Sequence, residues 1–475
     1  MAASHLFVCI ILCTYYSVAH GGDDDEHGFV TVLTSRSFQP EAAECSTSRV
    51  NLEPSRATAF VPLAHRHGPC APSSQTSEMP SFTERLRRSR ARANYIMSRA
   101  SKGTVSTLAD DDDANVTIPA HLGGSVDSLE YVVTVGLGTP AVPQVVLMDT
   151  GSDLSWVQCA PCNSTACYPQ KDPLFDPSKS STYAPIPCDT GACRNLTADD
   201  YGDGCVTSGG GSQCAFAIEY GDGSHTRGVY SKETLTLAPG VTVEDFHFGC
   251  ADDQDGSNDR YDGLVGLGGA PESLVVRTSS VYGGAFSYCL PAQNSEAGFL
   301  ALGGAPSANT SGFVFTPMRV EVATFYVVNL TGISVGGKQL DIPPAVFSKS
   351  TGMVIDSGTV VTELPNTAYS ALRTAFRSAM TAYPLLPPND DLGVDTCYNL
   401  TGFSNVTVPT VALTFDGGVR IDLDVPNGIL LEGCLAFQEA GPDEFPGILG
   451  NVNQRTFEVL YDVSHGKVGF RAGAC

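Results

Sequence analysis

Beyond residue 130 the chain is written in short apolar runs interrupted by glycine and proline. Tyr131-Val132-Val133-Thr134-Val135 is β-branched and stops at Gly136 and at Gly138-Thr139-Pro140, and Val145-Val146-Leu147-Met148 follows. Runs of this length between turn residues predict strands, and the rhythm continues to the C-terminus. The segment 214–224, Cys214-Ala215-Phe216-Ala217-Ile218-Glu219-Tyr220-Gly221-Asp222-Gly223-Ser224, predicts a hairpin with a glycine-rich tip. Residues 367–381 predict the clearest helix, with Ala368, Leu372, Ala375, Phe376 and Ala379 at helical spacing. Earlier, Arg85-Leu86-Arg87-Arg88-Ser89-Arg90-Ala91-Arg92, with Tyr95, Ile96 and Met97 close by, predicts a short basic helix. The expected class is therefore all-β with a few short helices, which suits 49 Gly and 30 Pro.

Two of the apolar runs end alike. Val145-Val146-Leu147-Met148-Asp149-Thr150-Gly151-Ser152 and Gly352-Met353-Val354-Ile355-Asp356-Ser357-Gly358-Thr359 each close on Asp, a hydroxyl residue, Gly and a second hydroxyl residue. A second echo follows each: Asp262-Gly263-Leu264-Val265-Gly266-Leu267 and Gly447-Ile448-Leu449-Gly450-Asn451. The chain therefore reads as a duplicated architecture with its boundary near residues 305–315. Gly151 and Gly358 lack a Cβ and let the backbone turn sharply toward an opposite loop. Thr150 and Ser357 can bond across to the other loop, and Ser152 and Thr359 can donate to the neighbouring carboxylate. Two carboxylates held face to face cannot both ionise cheaply, so one keeps its proton. Asp149 and Asp356 could then drive a shared water at a carbonyl, one as base and one as acid, with no covalent intermediate, cofactor or metal required.

Charge and cysteine place the chain. Of 475 residues, 27 are Lys or Arg and 51 are Asp or Glu, and the formal charge of −24 argues against a nucleic-acid partner. After Ala114 there are 16 basic residues against 38 acidic ones, so the basic run at 85–92 faces an acidic remainder. That complementarity predicts a pro-segment whose cations cover the cleft until processing, an intramolecular inhibitor. Residues 6–13 are apolar and Ser17-Val18-Ala19 supplies small residues, as in a secretory signal cut after Ala19, although basic residues before the run are missing. No later run has spanning length. Seven acceptor asparagines, Asn115, Asn163, Asn195, Asn309, Asn329, Asn399 and Asn405, fit secretion. Twelve of the 16 cysteines lie after Leu129, an even set that reads as a disulfide framework; no His lies between Cys159 and Cys214, which argues against zinc at the Cys-x-x-Cys. The expected division is 1–19 signal, 20–115 pro-segment, 116–310 first lobe with a Cys-rich insertion, and 311–475 second lobe. The expected destination is the extracellular space or cell wall, with the vacuole as alternative; the acidic run Asp23 to Glu26 argues against a plastid.

At the four echoing motifs the chain resembles the pepsin-like aspartic peptidases, in details their plant nepenthesin-type branch, over about residues 129–475. The resemblance implies a bilobal fold with pseudo-two-fold related lobes and a central cleft, an acid endopeptidase acting on protein or peptide substrates, and a monomer. It implies that the 214–224 hairpin is a flap with Tyr220 and Gly221 over the substrate, and that Trp156, the sole Trp, bonds Tyr220. It further implies the pairs Cys159–Cys162, Cys167–Cys250, Cys188–Cys214, Cys193–Cys205, Cys289–Cys475 and Cys397–Cys434. One departure is Val360-Val361, where the branch more often has Thr before an apolar residue. Losing that hydroxyl is expected to alter a bond near the dyad and shift the working pH without abolishing catalysis. Relatives of this fold that lost the dyad serve as binding proteins, such as inhibitors of cell-wall-degrading glycanases; retention of Asp149, Asp356 and Tyr220 argues against that. Gly332-Ile333-Ser334-Val335-Gly336 fits a serine-hydrolase elbow, but Gly336-Gly337 and Pro343-Pro344 predict a hairpin instead of the required helix. Residues 253–262 fit a calcium loop only loosely and are set aside.

Overall fold

The computed structural model describes residues 28–33, 45, 59–66, 68–71, 81–105 and 131–475, the last span with breaks at 163–165, 171, 199, 209–210, 221–224, 256–260, 293–295, 304–310, 351 and 389–392. The expected signal at 1–19, Asn115, Asn163, Asn309 and the flap residue Gly221 lie outside the described residues.

Each Asp-bearing run is a strand threaded beside its apolar-apolar-Gly partner, twice over. In the first half Val142–Asp149 pairs in parallel with Gly263–Gly266, matching Leu147 with Leu264 and Asp149 with Gly266. Gly263–Gly266 also pairs antiparallel with Trp156–Gln158, matching Leu264 with Trp156. In the second half Met353–Ile355 pairs in parallel with Gly447–Leu449, matching Val354 with Ile448, and Glu363 of Thr362–Pro365 pairs antiparallel with Ile448. The glycines are needed because the chain crosses itself tightly: a Cβ on Gly266 would lie 2.2 Å from the Asp153 carbonyl oxygen.

These units sit in a 15-stranded sheet and a six-stranded sheet, a β-rich bilobal architecture. Both halves contribute to one large core, in which Met148, Leu267, Tyr326, Ile355 and Leu449 are buried together. Within it Phe286 stacks on Tyr461, ring centroids 4.4 Å apart. The expected helix is Asn366–Ala379, with Ala368, Tyr369, Leu372 and Phe376 buried. Gly332-Ile333-Ser334-Val335-Gly336 is a hairpin: Leu330–Val335 turns back into Lys338–Gln339, and the Ser334 hydroxyl donates to Gln339 at 3.1 Å.

The N-terminal segment is more structured than its composition predicts. Its basic stretch forms a 24-residue helix, Phe82–Val105, because the apolar stripe begun by Leu86 continues through Ala93, Ile96, Met97 and Ala100, all buried. Ala59–His65 is wedged between Tyr131–Leu137 and Ala297–Leu302 in the large sheet. Phe29–Leu33 pairs with Asn405–Pro409 of the second half.

The disulfides correct the expected pairing. Cys289–Cys475 and Cys397–Cys434 are as expected, but the other four bonds are Cys159–Cys250, Cys162–Cys167, Cys188–Cys205 and Cys193–Cys214. The parallel pairing of Trp156–Gln158 with Val241–Asp255 matches Val157 with Cys250 and so carries Cys159 to it, leaving Cys162 to close on Cys167. In the insertion, burial sorts the partners. Cys193, on the Gly191–Ala198 helix, and Cys214 are both buried and join inside, while the less buried Cys188 and Cys205 join outside. A seventh bond, Cys45–Cys70, ties the N-terminal segment to itself.

Candidate active site

The two duplicated loops meet. Asp149 and Asp356 are both fully buried, each at the end of its apolar strand. The loops are cross-braced: the Ser357 amide donates to the Thr150 hydroxyl at 2.9 Å, and the Thr150 amide to the Ser357 hydroxyl at 3.2 Å. Those hydroxyls donate on to carbonyl oxygens below the opposite loop, Thr150 to Ile355 and Ser357 to Met148. Each carboxylate is held within its own loop. Asp149 accepts from the Gly151 amide at 2.9 Å and the Ser152 hydroxyl at 2.5 Å; Asp356 accepts from the Gly358 amide at 3.2 Å and the Thr359 hydroxyl at 2.6 Å. A Cβ on Gly151 would sit 2.9 Å from Asp356 Oδ1, so only glycine admits the second carboxylate.

The hairpin expected as a flap comprises Gly211–Glu219 and His225–Ala238, and Tyr220 stands at its far end. The Trp156 indole donates to the Tyr220 hydroxyl at 2.7 Å, as the resemblance implied. Burial pushes the Tyr220 phenol well above its usual value, so it stays a neutral donor and acceptor. Thr359 supplies the hydroxyl bond to Asp356, while Val360 and Val361 pack in one cluster with Leu86 of the N-terminal helix.

That helix fills the cleft. The Arg92 guanidinium spans both carboxylates, its Nη2 donating to Asp149 Oδ1 at 2.5 Å and Asp356 Oδ1 at 2.9 Å, and its Nε to Asp356 Oδ2 at 2.7 Å. One nitrogen atom thus reaches both aspartates. Burial alone would push the Asp356 carboxyl up, but the Arg92 charge and its two bonds outweigh it and hold the group below the usual range. The guanidinium, despite its burial, is raised in turn by Asp149 and Asp356. Flanking contacts secure the helix. Ser89 accepts from the Val360 amide at 2.9 Å, Arg90 donates to Glu363 at 2.6 Å, and Arg85 donates to Glu432 at 3.2 Å. Ala93, Ile96, Met97 and Ala100 pack on Phe325, Val327, Val354 and Ile448.

Three residues that sequence reasoning did not single out belong to the site. Arg92 was one cation among many; its distinguishing mark is its place beside the apolar stripe of Leu86, Ala93, Ile96 and Met97. Asp153, fully buried four positions past Asp149, accepts from Thr324 at 2.7 Å, Tyr201 at 3.1 Å and the Ala270 amide at 2.9 Å. It pins the first loop to Thr324 beyond the boundary, and burial pushes its carboxyl up to about 6. Glu363 carried no local signal at all.

Two family models match this chain, described as xylanase inhibitor N-terminal over residues 131–304 and xylanase inhibitor C-terminal over residues 325–472. An aspartyl protease family protein of Arabidopsis thaliana is 36% identical over 99% of this chain and 98% of its own length. The chain belongs to the pepsin-like aspartic peptidases, in their plant nepenthesin-type branch. Nepenthesin-1 of Nepenthes gracilis is 34% identical over 73% of this chain and 78% of its own. Among solved structures, conglutin gamma from lupine seeds is similar in fold, with a TM-score of 0.59 at 17% identity over 88% of this chain and 95% of that one. Membership accounts for the doubled threading and the cross-braced loops together. Among the described residues no helix is long and apolar enough to cross a membrane, and no cluster has the make-up of a metal site.

Proposed function

We propose that this chain is the precursor of a secreted aspartic endopeptidase, with Asp149 and Asp356 as its catalytic pair and the N-terminal segment as its inhibitor. The observation that carries the reading is the Arg92 guanidinium bonded to both carboxylates, in the place a reacting water and peptide would need. When the helix leaves, the two buried carboxylates face each other without a cation, and one takes up a proton. The ionised member draws a proton from a water between them; that water attacks the peptide carbonyl while the protonated member donates to the carbonyl oxygen. Ser152 and Thr359 keep each carboxylate oriented, and the Thr150–Ser357 bracing fixes their separation. Tyr220, tethered to Trp156, closes over the bound chain.

Incubating the purified precursor in acid with denatured protein tests this. The expected result is pepstatin-sensitive cleavage that is absent in Asp149→Asn and Asp356→Asn. No cleavage anywhere in the acid range, together with tight inhibition of a xylanase, would instead favour the binding role that the family models' description names.

A further inference from the structure

The two-fold repetition places Glu363 where the first half has Trp156. Each lies seven residues past its aspartate, and each pairs antiparallel with the first apolar residue of the threaded strand, Leu264 in one half and Ile448 in the other. Trp156 faces the cleft, since its indole bonds the flap residue Tyr220. By the same geometry Glu363 faces the cleft from the opposite lobe, and its occupant confirms this: Arg90, two residues from Arg92 on the cleft-filling helix, donates to Glu363 Oε2 at 2.6 Å. Arg90 also donates to the Glu439 carbonyl oxygen, and Gln438 donates to Glu363 Oε1. The carboxylate is fully buried, yet neither the cross-bracing nor the proposed water chemistry uses it.

We infer that Glu363, with Gln438 and the Glu439 carbonyl, forms a subsite that takes a basic side chain of the substrate, which Arg90 imitates in the precursor. The inference rests on the endopeptidase reading and adds a preference to it. A buried carboxylate is costly without a cation, and a single cationic nitrogen, Arg90 Nη1, reaches both adjacent acceptors, Glu363 Oε2 and the Glu439 carbonyl. Burial pushes the Glu363 carboxyl up to about 7 against the pull of Arg90. A substrate cation in the place of Arg90 would exert the same pull on the carboxyl.

The test is a cleavage profile of the acid-activated enzyme on a mixed peptide library, read by mass spectrometry. The expected result is Arg and Lys enriched at one fixed position relative to the cut. In Glu363→Gln the ratio of kcat/KM between an Arg peptide and its norleucine counterpart falls roughly 10- to 100-fold, the range for losing a charge-assisted bond. Cleavage without basic enrichment in the wild-type profile overturns the subsite while leaving the endopeptidase intact, and so does enrichment that survives Glu363→Gln. Absence of any cleavage removes both. The wild-type profile decides the matter even if the variant folds poorly.

Discussion

Arg92 shows how much one side chain decides. Its side chain is 6% exposed and bonds two carboxylates that are wholly buried. Removing one partner of such a set leaves uncompensated buried charge, at a cost of about 3–5 kcal/mol. Arg92→Ala is therefore expected to loosen the helix and yield activity at a higher pH than the wild-type precursor requires, measured as the rate at which a quenched peptide is cut after a pH jump. The direction of the acid response follows from Asp356. Its carboxyl is held below the usual range while Arg92 is docked, so the docking it provides is present above the ordinary carboxylate value near ~3.9 and is lost as pH falls through the depressed value. Acid should release the helix and neutral pH should retain it.

At the scale of the element, the Phe82–Val105 helix is held by an apolar face as well as by charge. Leu86 is buried against Val360, Val361, Leu431 and Val452, and a truncation there leaves a cavity on the second lobe. Leu86→Ala should cost about 2–5 kcal/mol of docking. Limited proteolysis of the precursor should show faster cutting between residues 82 and 105, while the pepstatin affinity of the processed enzyme stays as in the wild type. This separates the helix from the loops it covers, whose geometry rests on the Thr150–Ser357 bonds instead.

For the whole molecule, three buried carboxyls point to an acidic working environment. Burial pushes Asp153 up to about 6, and Asp262 and Glu363 up to about 7. A carboxyl raised in the folded state contributes stability that is fully present below its unfolded value near ~4 and lost as pH rises through the folded value. Melting temperature should therefore be higher at pH 5 than at pH 8, with the decline running from about pH 4 up through pH 7 and levelling off above it. The formal charge of −24 at neutral pH adds self-repulsion in the same direction. Scanning calorimetry across this range checks it; a melting temperature that rises toward pH 8 would show that these groups do not titrate as their burial requires.

What the sequence determined by itself is what repetition and local pattern encode. The two Asp-hydroxyl-Gly-hydroxyl loops, the apolar-apolar-Gly strands and the Asn366–Ala379 helix are legible because each is a contiguous run whose residue types carry their own physical reason. Short β-branched runs between glycine and proline turns also predicted the β-rich class. The tertiary structure alone decided which cysteines meet, because Cys159 finds Cys250 through a strand pairing 91 residues distant along the chain. It alone singled out Arg92 from a run of arginines, since helical phase relative to a cleft is not written in composition. It alone set Glu363 opposite Arg90, 273 positions apart, because a contact between the N-terminal helix and the second lobe depends on where the two pack, and no local spacing records that.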